Sequence, residues 1–249
     1  MKKVLYIIIT LFSLGTFSQN ESVFQEANTL YNDGKYQDAI DKYESIIKSG
    51  QHSAELYFNL GNANYKLNKI APSIFYYEKA LRLNPNDREI QNNLAFAQNM
   101  TIDAIEQVPE VGMTKFLNKI INVFSFDTWA KLSIVFMLMF VSLFILYYFS
   151  YTTQKKRLAF IASNGALFLM LIALAFAFQK YDLTQKDKPA IVFSQEAEVK
   201  SEPNLRSSEA FRIHEGTKVQ ILDTVNNWKK IKLADGKTGW VPSDDIKAL

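Results

Sequence analysis

From Thr128 to Tyr181 the chain carries no Asp or Glu, and two long apolar runs lie inside that stretch. The first, Trp129 to Tyr151, holds a single charge, Lys131, near its start, where the side chain can reach toward lipid headgroups. The second, Leu158 to Phe178, has only Ser163 and Asn164 as polar members. At 1.5 Å per helical residue, each run spans a hydrocarbon layer of roughly 30 Å. The segment between them, 152–157, is too short to be a domain and contains Lys155, Lys156 and Arg157. Basic loops stay on the cytoplasmic side, so the soluble flanks are both expected to face outward.

The N-terminus agrees with that orientation. Residues 1–18 read as a secretory signal, with Lys2 and Lys3 ahead of an apolar run and Thr16-Phe17-Ser18 as a small-residue cleavage site. An uncleaved anchor would send residue 20 onward across the membrane just as well. Residues 19–127 hold ten Lys or Arg against fourteen Asp or Glu, and 189–249 hold nine of each. Neither flank is a basic body suited to nucleic acid, and none is expected as a partner.

Residues 20–104 repeat with a period of 34, which divides them into 20–53, 54–87 and a partial third copy, 88–104. Small residues Ala27 and Gly61 recur at one position, and Ala39 and Ser73 at another, as two closely crossing helices require. Pro85 follows a helix end, where it cannot continue the helix. The second copy, from Ala54-Glu-Leu-Tyr-Phe-Asn-Leu-Gly61 to Asn84-Pro85, resembles a tetratricopeptide repeat. The resemblance implies that the first helix of each pair lines a groove for a partner's peptide. Carried onto this sequence, those positions are Phe24, Asn28, Tyr31, Phe58, Asn59, Asn62, Tyr65, Asn92 and Phe96. Asn28 and Asn62 share a repeat position and are expected to hold a peptide backbone; the plainer reading is that all nine pack the superhelix. The family's grip on a free C-terminal carboxylate needs Lys and Arg, whereas Phe24, Glu89 and Asn93 stand here.

A short acidic connector, 105–112, leads to a segment 114–126 in which Phe116, Leu117, Ile120, Ile121 and Phe124 share one helical side. That pattern fits a helix lying in the membrane interface or one packed on the repeats. Beyond the spans, 189–249 changes to an alternating period, with strands expected at 190–193, 218–222, 228–233 and 238–241. Asn226-Asn227 and Ala234-Asp235-Gly236 supply turns. The run Glu215-Gly-Thr-Lys-Val219, Trp228 and Ala234-Asp-Gly-Lys-Thr-Gly-Trp-Val241 resembles a bacterial SH3-type barrel, a class associated with cell-wall peptides. Trp228 and Trp240 are either its ligand surface or its core.

Catalytic chemistry finds no footing in these residues. There is no cysteine, and the two histidines, His52 and His214, lie in different soluble parts without ligating neighbours in sequence. Both are expected to be loop histidines. Asp244-Asp245 reads as a turn or helix start rather than an acid–base pair, and Ser207-Ser208 has no base. No enzyme, metal or cofactor is expected. Asn164, flanked by Ser163, Gly165 and Ala166, should seek a partner on the first span or on another protein.

The expected fold is a multidomain membrane protein: all-α tetratricopeptide repeats, a two-helix transmembrane hairpin and a small all-β SH3-type barrel. In that order these parts resemble the BatE proteins of the Bacteroidetes aerotolerance operon. The resemblance implies an inner-membrane protein with both soluble domains in the periplasm, partnered with von Willebrand A-domain Bat membrane proteins. A scaffold for protein–protein interaction is the leading expectation; an envelope sensor or cell-wall-binding protein using its barrel on peptidoglycan is the alternative.

Overall fold

The computed structural model describes residues 20–106, 108–109 and 112–249. The expected signal over 1–18 lies outside the described residues. Two compact units result. One joins the repeats to the segment from Lys188 to Leu249, and the other is Val108–Asp187.

The repeats form five helices: α1 over 20–32, α2 Tyr36–Lys48, α3 Ala54–Lys66, α4 Ile70–Leu83 and α5 Arg88–Gln98. Ser53 caps α3 by accepting from the Leu56 amide, and Asp87 caps α5 by accepting from Glu89 and Ile90. Gly34 and Asn68, one repeat apart, take positive φ of 78° and 58° in the turns after α1 and α3. Ala27, Ala39 and Ser73 are fully buried, as the small-residue positions require. At Gly61 the reason is specific: a Cβ there would lie 2.5 Å from the Tyr77 ring, while Ser73 Oγ donates to the Gly61 carbonyl at 3.0 Å. Buried Asn64 also turns inward on its own helix, its Nδ2 donating to the Leu60 carbonyl at 2.8 Å.

The third copy stops after one helix. Leu94 and Ala97 are buried, but Ala95, at the Gly61 position, is exposed because no second helix crosses it. The chain does not fade into a connector there. Residues 101–106 run onto the C-terminal domain, where Ile105 packs against its core.

That domain is a seven-stranded antiparallel sheet: β1 Pro189–Val192, β2 Glu196–Lys200, β3 Glu209–His214, β4 Lys218–Val225, β5 Trp228–Lys232, β6 Thr238–Pro242 and β7 Ile246–Ala248. The order is β3-β2-β6-β5-β4-β1-β7. All seven strands contribute to one core, among them Ala190, Val199, Ile213, Val219, Ile231, Val241 and Ile246. Four strands match the expected segments; β2, β3 and β7 are additions. β2 buries only Ala197 and Val199 and β3 only Ile213, so neither carries a run of large apolar residues, while β7 is only three residues long.

In the other unit, α6 spans Gly112–Ile121, α7 Phe126–Phe149 and α8 Thr153–Lys186. The interfacial helix expected over 114–126 ends at Ile121, because Ser125 caps the next helix. Ile121 is buried, its carbonyl accepts from Trp129 Nε1 at 3.0 Å, and Phe124 meets the Trp129 ring edge-on. This helix packs on the hairpin itself. The basic loop expected over 152–157 is mostly the first turn of α8, since Lys and Arg are good helix formers once Thr152 starts the helix. Both apolar helices also run differently from the expected spans: α7 starts at Phe126 and ends at Phe149, and α8 continues past Phe178 to Lys186.

α7 and α8 are long and apolar enough to cross a membrane. They pack along each other through small residues of α8, with Ala159, Ser163, Ala166, Ala173 and Ala177 buried. Asn164 is not in that seam. It is exposed and donates to its own helix at the Phe160 carbonyl, 2.8 Å away. The i−4 carbonyl satisfies the amide without a second helix.

Candidate partner-binding surfaces

Along the side of the repeats built by α1, α3 and α5, three shallow depressions follow one another. The first, of about 410 Å³, includes Glu21, Phe24, His52 and Glu55. The second, of about 390 Å³, includes Glu55, Phe58, Asn59, Asp87 and Glu89. A third, of about 320 Å³, includes Tyr31, Asn62, Tyr65, Lys66, Glu89 and Phe96. Seven of the nine expected groove residues are therefore brought to these depressions. Asn28 lines none of them, and neither does exposed Asn92.

The recurring asparagines serve mainly to join the helices. Asn28 Oδ1 accepts from the Tyr43 hydroxyl at 2.6 Å and from Asn59 Nδ2 at 3.1 Å. One repeat later Asn62 Oδ1 accepts from the Tyr77 hydroxyl at 2.7 Å and from Asn93 Nδ2 at 2.9 Å. Burial pushes Tyr43 up to about 12 and raises Tyr77 as well, so both phenols remain donors. These bonds occupy the acceptor oxygens of Asn28 and Asn62, so a peptide backbone would be met by their amide Nδ2 groups. Phe96, 61% exposed, is the large apolar side chain that the groove leaves open.

The C-terminal domain offers a second surface. Lys230 pairs with Trp240 and Trp228 with Pro242 across β5 and β6, while inward positions hold Ile231, Gly239 and Val241. Trp228 and Trp240 are half-buried on the outer face, with Lys230 Nζ 5.9 Å from the Trp240 ring centre. They are surface rather than core. Gly239 is small because a Cβ would meet Val199 Cγ1 and the Lys200 carbonyl.

The opposite part of this domain is occupied by the repeats. Ile191 of β1 is fully buried in the cluster of Ile74, Phe75 and Ile90, and Phe193 and Leu249 pack there too. Lys218 reaches Glu78 Oε1 and Oε2 at 2.7 and 2.8 Å, and Arg82 donates to the Leu249 carbonyl at 2.8 Å. Lys247 lies 4.9 Å above Phe75 and 5.4 Å above Phe193.

His214 is held at this junction by a residue that sequence reasoning passed over. Asp103 Oδ1 is 2.8 Å from His214 Nδ1, and Oδ2 accepts from the His214 amide and from Thr217 Oγ1. Burial alone would raise Asp103; the hydrogen bonds from Thr217 and His214 outweigh it and hold the carboxyl below its ordinary range. His214 is a strand residue, not a loop histidine. His52 does sit between helices, its Nδ1 2.6 Å from the Tyr57 hydroxyl. Asp245 closes a 3-10 turn and accepts from Ser194 Oγ at 2.5 Å. Among the described residues no three His, Asp or Glu side chains are grouped to hold a metal.

Comparison with known proteins follows the same division. Residues 54–87 match the family described as Tetratricopeptide repeat, and residues 196–247 match the Bacterial SH3 domain family. The SH3 match begins after β1, the strand that carries Ile191 into the repeats. No curated protein matches the chain. Among solved structures, an NlpC/P60 family protein from Bacillus cereus is 14% identical with a TM-score of 0.22, and the match covers 28% of this chain. The chain spans only 23% of that protein's length, and so slight a likeness carries no argument.

Proposed function

We propose that the protein is a non-catalytic scaffold anchored in the bacterial inner membrane, holding a protein partner on its periplasmic face through the repeat groove. The observation that carries this reading is that repeats and SH3 domain, separated in sequence by the hairpin, pack into one unit with the groove open. A body made from both flanks needs its two connections to the hairpin on one side, which supports two crossings rather than one. Tethering then raises the local concentration of a membrane-bound partner, so a modest groove affinity suffices. Domain order favours a Bat complex, with von Willebrand A-domain membrane proteins as partners.

Co-purification from detergent-solubilised membranes tests the reading. Phe96→Ala, which removes an exposed side chain and leaves the core intact, is expected to reduce recovery of the partner. Undiminished recovery from Phe96→Ala and Tyr65→Ala would remove the groove from the account.

The outer face of the SH3 domain favours a second reading, binding of peptidoglycan by Trp228 and Trp240. Full-length protein in detergent should then pellet with purified cell wall, and Trp240→Ala should not. The isolated segment 189–249 is a poor probe, because separating it from the repeats uncovers Ile191.

A further inference from the structure

Glu21, Glu55 and Glu89 stand one repeat apart on the helices that line the groove, Glu55 and Glu89 in the first turns of α3 and α5. An acid in the first helical turn favours the helix dipole, and that alone would account for Glu55 and Glu89. It does not account for where they meet. Glu21 and Glu55 line the first depression, Glu55 and Glu89 the second, and Glu89 the third. All three are exposed, and among the described residues none is in an ion pair, unlike Glu26, Glu78, Glu196, Glu198 and Glu209. Asp87 adds a third carboxylate to the second depression, and Lys66 in the third is the one Lys or Arg among the lining residues.

Resting on the groove reading above, we infer that the partner enters as an extended segment bearing Lys or Arg, whose cations meet Glu21, Glu55 and Glu89 in turn. The spacing follows from the packing. Asn59 reaches Asn28 and Asn93 reaches Asn62, so α1, α3 and α5 are adjacent helices. Packed helices lie roughly 8–10 Å apart, and an extended segment in the polyproline II conformation advances about 3.1 Å per residue with three residues per turn, so every third side chain falls on the same side. Cations at every third position therefore keep step with the glutamates. Phe24, Phe58 and Phe96 beside them provide apolar contact for the stems of long basic side chains. The charge is opposite to that of a groove that grips acidic C-termini.

Fluorescence anisotropy with full-length protein in nanodiscs tests this, using a labelled synthetic peptide with Lys at every third position and its Glu counterpart. The Lys peptide is expected to bind and the Glu peptide not. Combined Glu21→Gln, Glu55→Gln and Glu89→Gln should weaken the Lys peptide roughly tenfold and flatten its salt dependence. These exposed isosteric changes leave the core untouched. Equal binding of both peptides, no binding of either, or indifference of the Lys peptide to the three substitutions would overturn the inference. Loss of the Lys peptide in Phe96→Ala together with that indifference would keep the groove and discard the charge rule. The co-purification test judges the groove independently of any peptide.

Discussion

Asp103 and His214 are 111 positions apart in sequence and joined through both carboxylate oxygens, one to the imidazole and one to the backbone amide. Between them in the chain lies the entire apolar hairpin. The junction makes the SH3 domain part of the repeat body rather than a separate head on a tether. Lys218–Glu78 and the burial of Ile191 act in the same direction.

Replacing Asp103 with Ala leaves the His214 amide and Thr217 hydroxyl without their acceptor. A loss of about 1–3 kcal/mol is expected, seen as a lower melting temperature and faster amide exchange around residue 214. The acid response has a defined sign. Asp103 is depressed in the folded state, so its contribution is present above the ordinary carboxylate range and is lost as pH falls through the lowered folded value. Asp103→Asn should lessen that acid sensitivity.

The Glu78–Lys218 pair should respond unequally to its two truncations. The Glu78 side chain is 10% exposed and that of Lys218 46%. Lys218→Ala leaves a buried carboxylate without its partner, whereas Glu78→Ala leaves a cation that water can reach. Chemical denaturation should show the first to be more costly, by about 1–2 kcal/mol.

Gly61→Ala tests the close crossing of α3 and α4. The added methyl meets the Tyr77 ring, which is fixed by its bond to Asn62 and has no room to swing away. Destabilisation of about 1–3 kcal/mol is expected in the thermal unfolding of the repeats. Gly165→Ala in α8, where a Cβ meets nothing within 4 Å, should be neutral.

Asn62→Ala and Phe96→Ala separate folding from binding. The first removes the acceptor of two hydrogen bonds and should cost about 1–3 kcal/mol. The second removes an exposed ring and should leave the melting temperature nearly unchanged while weakening partner recovery.

A natural absence of cysteine makes topology directly measurable. Tyr151→Cys, between α7 and α8, should react with a membrane-impermeant maleimide only after permeabilisation. Ser208→Cys in the SH3 domain should react from the periplasmic side without it. Equal reactivity of both from one side would contradict the hairpin orientation.

The period of 34, the two apolar runs and the Gly236 turn were plain in the sequence because each depends on local spacing. Asp103 was not, since its partners lie beyond the hairpin and no local pattern connects them. The ends of α7 and α8 were displaced because helices continue through polar residues that hydropathy reads as loop. Asn28 and Asn62 were found by their recurrence, but their roles depend on Tyr43 and Tyr77 across the helix pair, contacts that recurrence alone does not disclose.

Site-specific photocrosslinking in living cells addresses the groove most directly, with the reactive residue at Tyr65 or Phe96 and, for contrast, at exposed Leu205 of the SH3 domain. Capture of one defined membrane protein from both groove positions and not from Leu205 is the expected result; a von Willebrand A domain in that protein would identify the complex. Capture confined to Leu205, with nothing held at Tyr65 or Phe96, would contradict a groove-based scaffold and leave the repeats as a spacer.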